Sequence, residues 1–128
     1  MPARILYVED DPDIQIIARM ALEKIGGFIV KICSSGGEAI KVAEEFSPDL
    51  VLLDVMMPDM DGPQTMRELR GKPSLAGVPM LFVTAKTQRS ELELFREMGV
   101  AGVISKPFDP MELASTIRQY LSTGEGGD

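Results

Sequence analysis

No histidine and no tryptophan occur among the 128 residues, and Cys33 is the only cysteine. Without histidine, this chain can carry no Ser-His or Cys-His triad, no histidine zinc site and no phosphohistidine intermediate. A single cysteine rules out an internal disulfide and a cysteine metal cluster, and suits a reducing compartment. Positive charge is also short: 13 basic against 20 acidic residues leave a net charge of -7, which repels a nucleic-acid backbone. No apolar run approaches the roughly 18 residues of a membrane span, and Met1 to Arg4 lead into a strand rather than a signal peptide. The expectation is a soluble, cytoplasmic protein with no membrane insertion and no direct contact with nucleic acid. Carboxylate, hydroxyl and ammonium chemistry remain.

With 45% apolar residues, the chain has enough for the core of one ordinary domain. Arg4 to Val8, Phe28 to Cys33, Asp49 to Leu53, Met80 to Thr84 and Ala101 to Ser105 read as strands, each bounded by turn residues. Helical periodicity fills the gaps. The first helix has Asp11 as cap and Pro12 in its first turn, with Ile14, Ile17, Ala18, Ala21, Leu22 and Ile25 on one face before Gly26-Gly27. Ser35 to Glu38 and Asp109 to Glu112 read as capping boxes that open the second and last helices. The third helix spans about Gly62 to Arg70 with an exit loop from Lys72 to Pro79; the fourth, about Gln88 to Met98, carries a wide apolar arc of Leu92, Leu94, Phe95 and Met98. Alternating strands and helices predict an α/β fold, a doubly wound five-stranded parallel sheet.

In such sheets ligands sit beyond the carboxyl ends of the strands. Charged residues stand at those ends here: Glu9, Asp10 and Asp11 after the first strand, Asp54 after Leu50 to Leu53, and Lys106 after the last. Any one of them can be a solvated charge or a helix cap, and Asp11 beside Pro12 reads as a cap. Together, like carboxylates at ~4 Å cost about 4 kcal/mol per pair at an effective dielectric near 20. Lys106 offsets one charge, and a hard divalent ion with oxygen ligands offsets two, which points to magnesium.

Four motifs stand in order along the chain: Val8-Glu9-Asp10-Asp11-Pro12, the run Leu53-Asp54 to Asp61-Gly62, Thr84-Ala85, and Lys106-Pro107-Phe108. In this order and spacing they resemble the receiver domain of two-component response regulators, from Arg4 to about Leu121. The resemblance implies a flavodoxin-like (βα)5 fold with strand order 2-1-3-4-5, residues 1–121 as the receiver and 122–128 as a flexible C-terminal tail. It implies that Asp54 accepts a phosphoryl group from a sensor histidine kinase or a phosphotransfer protein. Asp10, Asp54 and the Met56 backbone carbonyl then ligate a magnesium ion, with Glu9 reaching it through water. Lys106 pairs with a phosphoryl oxygen across a cis peptide bond to Pro107, and Thr84 hydrogen-bonds the new group and draws its loop inward. The implied protein is a signalling receiver rather than an enzyme, limited to self-phosphorylation from a donor and autodephosphorylation. It acts on a downstream protein target as a monomer or weak dimer, standing alone as chemotaxis regulators do or cut from a longer chain.

Two departures bear on the carry-over. Glu9 stands where aspartate is usual, and Val103 where many receivers have an aromatic ring that moves on activation. An interaction module without the switch is therefore one alternative. A magnesium-dependent aspartyl-phosphate phosphatase is another, although the second aspartate such enzymes carry two residues after the nucleophile is Met56 here. A flavin binder fits less, with no hydroxyl-rich phosphate loop after the first strand and no tryptophan.

Overall fold

Leu50-Val51-Leu52-Leu53 is apolar at every position because the strand that contains it is covered on both faces, so neither set of alternating side chains meets water. The structure, a computed structural model, describes residues 2–126, with side chains described through Ser122. Strands β1 (Arg4–Val8), β2 (Ile29–Cys33), β3 (Leu50–Asp54), β4 (Met80–Thr84) and β5 (Gly102–Ser105) alternate with helices α1 (Pro12–Arg19), α2 (Gly36–Phe46), α3 (Gly62–Arg70), α4 (Arg89–Glu97) and α5 (Pro110–Gly126). All neighbouring strands pair in parallel, in the order β2-β1-β3-β4-β5. That is the doubly wound, flavodoxin-like arrangement expected. The order reverses between β1 and β3, which places their ends at the crevice.

The two-residue period of each strand sorts its side chains into two cores. Ile5, Tyr7, Leu50, Leu52, Leu81 and Val83 pack with Ala18, Ala21, Leu22, Leu113, Ala114 and Ile117 on one side. Leu6, Val8, Val51, Leu53, Met80 and Phe82 pack with Ala39, Ala43, Met66, Leu69 and Phe95 on the other. Phe95 meets Phe82 edge to face at 5.1 Å between ring centroids, anchoring α4 to β4.

Several local expectations are corrected. Ile17 and Ile25 of the first helix are exposed, whereas Ala18, Ala21 and Leu22 are buried. For Ile25 the reason is a π-helical turn over Met20–Ile25, in which Gly26 N–H donates to Ala21 five residues back and the wider turn rotates Ile25 away from the core; Ile17 precedes that turn, on α1. Asp49 lies outside β3 and its carboxylate accepts from the Arg4 N–H, while Asp54 is the last residue of that strand. Ser35 does cap α2, accepting from Glu38 N–H, but Glu38 answers to Ser34 N–H, one residue further out than a capping box requires. Asp109 accepts from Met111 N–H. Reciprocal boxes occur instead at Asp61 with Gln64 and at Gln88 with Glu91. The exit loop after α3 contains a 3-10 turn at Pro73–Leu75. Of the apolar arc on α4, Phe95 is buried and Leu94 is exposed. The last helix runs on to Gly126, and residues 127–128 of the expected tail lie outside the described residues. Among the described residues no helix is long and apolar enough to cross a membrane.

Gly62 opens α3 directly against the end of β3. A Cβ there would stand 2.7 Å from the Asp54 carbonyl oxygen and 3.0 Å from Val55 Cα, both backbone atoms that cannot turn aside. Gly62→Ala is therefore expected to lower stability by roughly 1–3 kcal/mol in urea unfolding; an unchanged midpoint contradicts the close approach.

Candidate functional site

Parallel pairing brings the carboxyl ends of β1, β3, β4 and β5 to one edge. Asp54 closes β3, Thr84 closes β4 opposite Ser105, and the next residue, Lys106, donates its N–H to the Thr84 carbonyl at 2.9 Å. Glu9 continues β1, its N–H donating to the Cys33 carbonyl. The residues singled out from the sequence meet here: Glu9, Asp10, Asp54, Met56, Thr84 and Lys106 line one cavity of about 350 Å³, with Asp11, Ala85 and Lys86. The Lys106–Pro107 peptide is cis.

The Lys106 ammonium lies 3.0 Å from Glu9 Oε1 and 3.1 Å from Asp54 Oδ1, joining the two carboxylates. Glu9 is fully buried and well supplied with donors: Tyr7 hydroxyl at 3.0 Å on Oε1 and Asp11 N–H at 3.1 Å on Oε2. Asp10 is exposed and Asp54 buried. Asp11 caps α1, accepting from Asp13 N–H at 2.9 Å, as its place beside Pro12 suggests. The Thr84 hydroxyl accepts from Lys86 N–H at 3.0 Å and so ties down the start of the following loop; its own proton remains available to a ligand. The Met56 side chain is exposed at the mouth.

Burial pushes Asp54 up to about 6; hydrogen bonding and charge from Lys106 oppose this, and Glu9 adds to it. Burial also works against the Lys106 charge, yet Glu9 and Asp54 together outweigh it and raise Lys106 above its ordinary value. The Tyr7 phenol is held well above its usual range by burial and by the Glu9 carboxylate, so it stays a donor.

One carboxylate oxygen from each of Glu9, Asp10 and Asp54 falls within 4.8 Å of the others. Lys106 is the ammonium bonded to this trio of carboxylates, so an all-oxygen donor set with excess negative charge fits a hard divalent cation. Two supporting residues were not legible as such. Tyr7 is one, although its place two residues before Glu9 signals a shared face of the sheet. Gln15 is the other: its amide donates to the Glu9 carbonyl and to the Ser34 hydroxyl, a pairing visible only in three dimensions.

The family model of the response regulator receiver domain matches residues 5–118. The chain belongs to this family. Receivers are signalling modules rather than conventional enzymes, and as a class they bind magnesium. Among curated relatives, the DNA-binding response regulator MtrA of Mycolicibacterium smegmatis is 38% identical over 98% of this chain and 53% of its own length. The chain spans about half the length of the curated relatives it matches. Chemotaxis protein CheY4 of Vibrio cholerae superposes with a TM-score of 0.87 at 27% identity, over 93% of this chain and 98% of that one. The receiver domain of a sensor histidine kinase from Pseudomonas aeruginosa, determined with a magnesium ion coordinated in its active-site cleft, gives 0.84 at 28% identity, over 95% and 99%.

The Asp54 shift has a definite sign. Between its ordinary 3.8 and about 6, the folded state holds a proton that the unfolded state releases, so stability falls as pH rises through this window. In metal-free protein the Asp54 carboxyl resonance is expected to titrate near pH 6, and magnesium to lower that midpoint. A midpoint at or below 4 in metal-free protein contradicts this account.

Proposed function

We propose that this receiver is a phosphoryl-accepting switch in a two-component phosphorelay, with Asp54 as the phosphoacceptor. The observation that carries this reading is the Lys106 bridge between Glu9 and Asp54 at the floor of an open acidic cavity. Asp54 presents a nucleophilic carboxylate there with Lys106 on one oxygen, whereas the still more deeply buried Glu9 has both oxygens engaged, one by Tyr7 and Lys106 and the other by Asp11 N–H. The donor is a phosphohistidine on a partner sensor kinase or phosphotransfer protein. A bond forms between an Asp54 oxygen and phosphorus as the phosphorus–nitrogen bond breaks, and the electron pair leaves with the partner's imidazole, which takes up a proton.

Asp10, Asp54 and the Met56 backbone carbonyl would hold the magnesium ion, with Glu9 acting through water. When bound, that ion supplies positive charge against the phosphoryl oxygens. Lys106 already sits on an Asp54 oxygen and needs only a short shift to a phosphoryl oxygen. Thr84 donates its hydroxyl proton to another, and because that hydroxyl accepts from Lys86 N–H, its movement carries the loop after β4 with it. These charge-assisted bonds exist only in the phosphorylated state, which is what a population shift requires. The half-buried Val103 carries no ring to rotate, so loop closure at Thr84 is the route to a downstream protein target. Residues 1–121 form the receiver in this reading.

A second reading, an interaction module without the switch, draws support from Val103 and from exposed Leu94. Phosphorylation that changes neither partner binding nor oligomeric state would favour it.

Acetyl phosphate with magnesium is expected to label the protein, and chelation of the metal to abolish the label. Asp54→Asn is expected to accept none by mass spectrometry; labelling that survives the substitution overturns the assignment.

A further inference from the structure

Tyr7 is fully buried two residues before Glu9, and alternate residues of a strand face the same side, so phenol and carboxylate stand together. The Tyr7 hydroxyl donates to Glu9 Oε1 at 3.0 Å, and the Lys106 ammonium reaches that same oxygen at 3.0 Å. Two donors share one acceptor atom, while Glu9 Oε2 is taken by Asp11 N–H. A hydroxyl bonded to a carboxylate oxygen draws off part of its negative charge, so the oxygen attracts a second, cationic donor less strongly. Two of the three ammonium protons of Lys106 are engaged by Glu9 and Asp54, and its hold on Glu9 sets part of the cost of moving toward a phosphoryl oxygen.

We propose that Tyr7 is a positioning residue for Lys106, acting through Glu9: its hydroxyl loosens the Glu9–Lys106 pair so that the ammonium can move to a phosphoryl oxygen on Asp54. This rests on Asp54 as the phosphoacceptor. It also gives the glutamate at position 9 a purpose, since its additional methylene lets one oxygen reach both the phenol and the ammonium.

Four proteins test the idea: the parent, Tyr7→Phe, Glu9→Asp and the double variant, each treated with acetyl phosphate and magnesium. Tyr7→Phe is expected to slow acyl-phosphate formation about three- to tenfold, the range of one ordinary hydrogen bond. Its magnesium Kd by calorimetry stays within about twofold, and in metal-free protein the Lys106 ammonium protons exchange more slowly with water by NMR. Added to Glu9→Asp, the same substitution changes none of these readouts. Equal slowing in both backgrounds, with a lowered Tm, makes Tyr7 a core residue only and overturns the proposal; so does an unaltered Lys106 exchange rate. Labelling that no longer depends on Asp54 overturns the phosphoacceptor reading instead, and the Lys106 exchange measurement, made without donor or metal, still decides the coupling.

Discussion

An ammonium group 3.0 Å from Glu9 and 3.1 Å from Asp54 ties the end of β5 to the ends of β1 and β3. Without it, two buried carboxylates would stand side by side with no cation between them, which disfavours the ionised form of at least one. With it, burial still pushes Asp54 up to about 6, and Glu9 is held in place by Lys106, Tyr7 and the Asp11 N–H. The remaining negative charge is what makes the cavity attractive to a divalent cation.

That division requires a rigid frame. The sheet provides it by sending alternate side chains into two separate cores, leaving the strand interiors dry and only the carboxyl ends polar. Close packing makes such cores resist small displacements, so the polar edge can hold tenths-of-ångström geometry. Gly62 adds to the fit by allowing α3 to start against the Asp54 backbone. The exposed positions Leu94 and Met56 lie on elements that this frame positions but does not cover.

Strand placement was readable because Leu50 to Leu53 and Met80 to Thr84 have no helical alternative of comparable length, and β1 and β4 came out with the bounds expected. Helix ends were less readable. Ser35, Asp109, Asp61 and Gln88 all offer capping side chains, and which acquire reciprocal partners depends on how each loop enters its helix. The π-helical turn at Met20–Ile25 has no signature in the residue pattern, and it alone exposes Ile25. Membership of the candidate site was legible residue by residue, since Glu9, Asp10, Asp54, Met56, Thr84 and Lys106 all line the cavity. Their partnerships were not: the bonds that Tyr7 and Gln15 make to Glu9 appear only in three dimensions.

The residues by themselves determined the fold class and the chemistry available. Period, turn residues and strand-end charges are local properties of the chain, and the lack of histidine and tryptophan is a plain matter of composition. Only the tertiary structure decided which oxygen of Glu9 meets Lys106, that Tyr7 shares it, and that burial rather than repulsion is the largest influence on Asp54. Those outcomes depend on distances of about 3 Å between groups far apart in sequence, and on exclusion of water that exists only once both cores have closed.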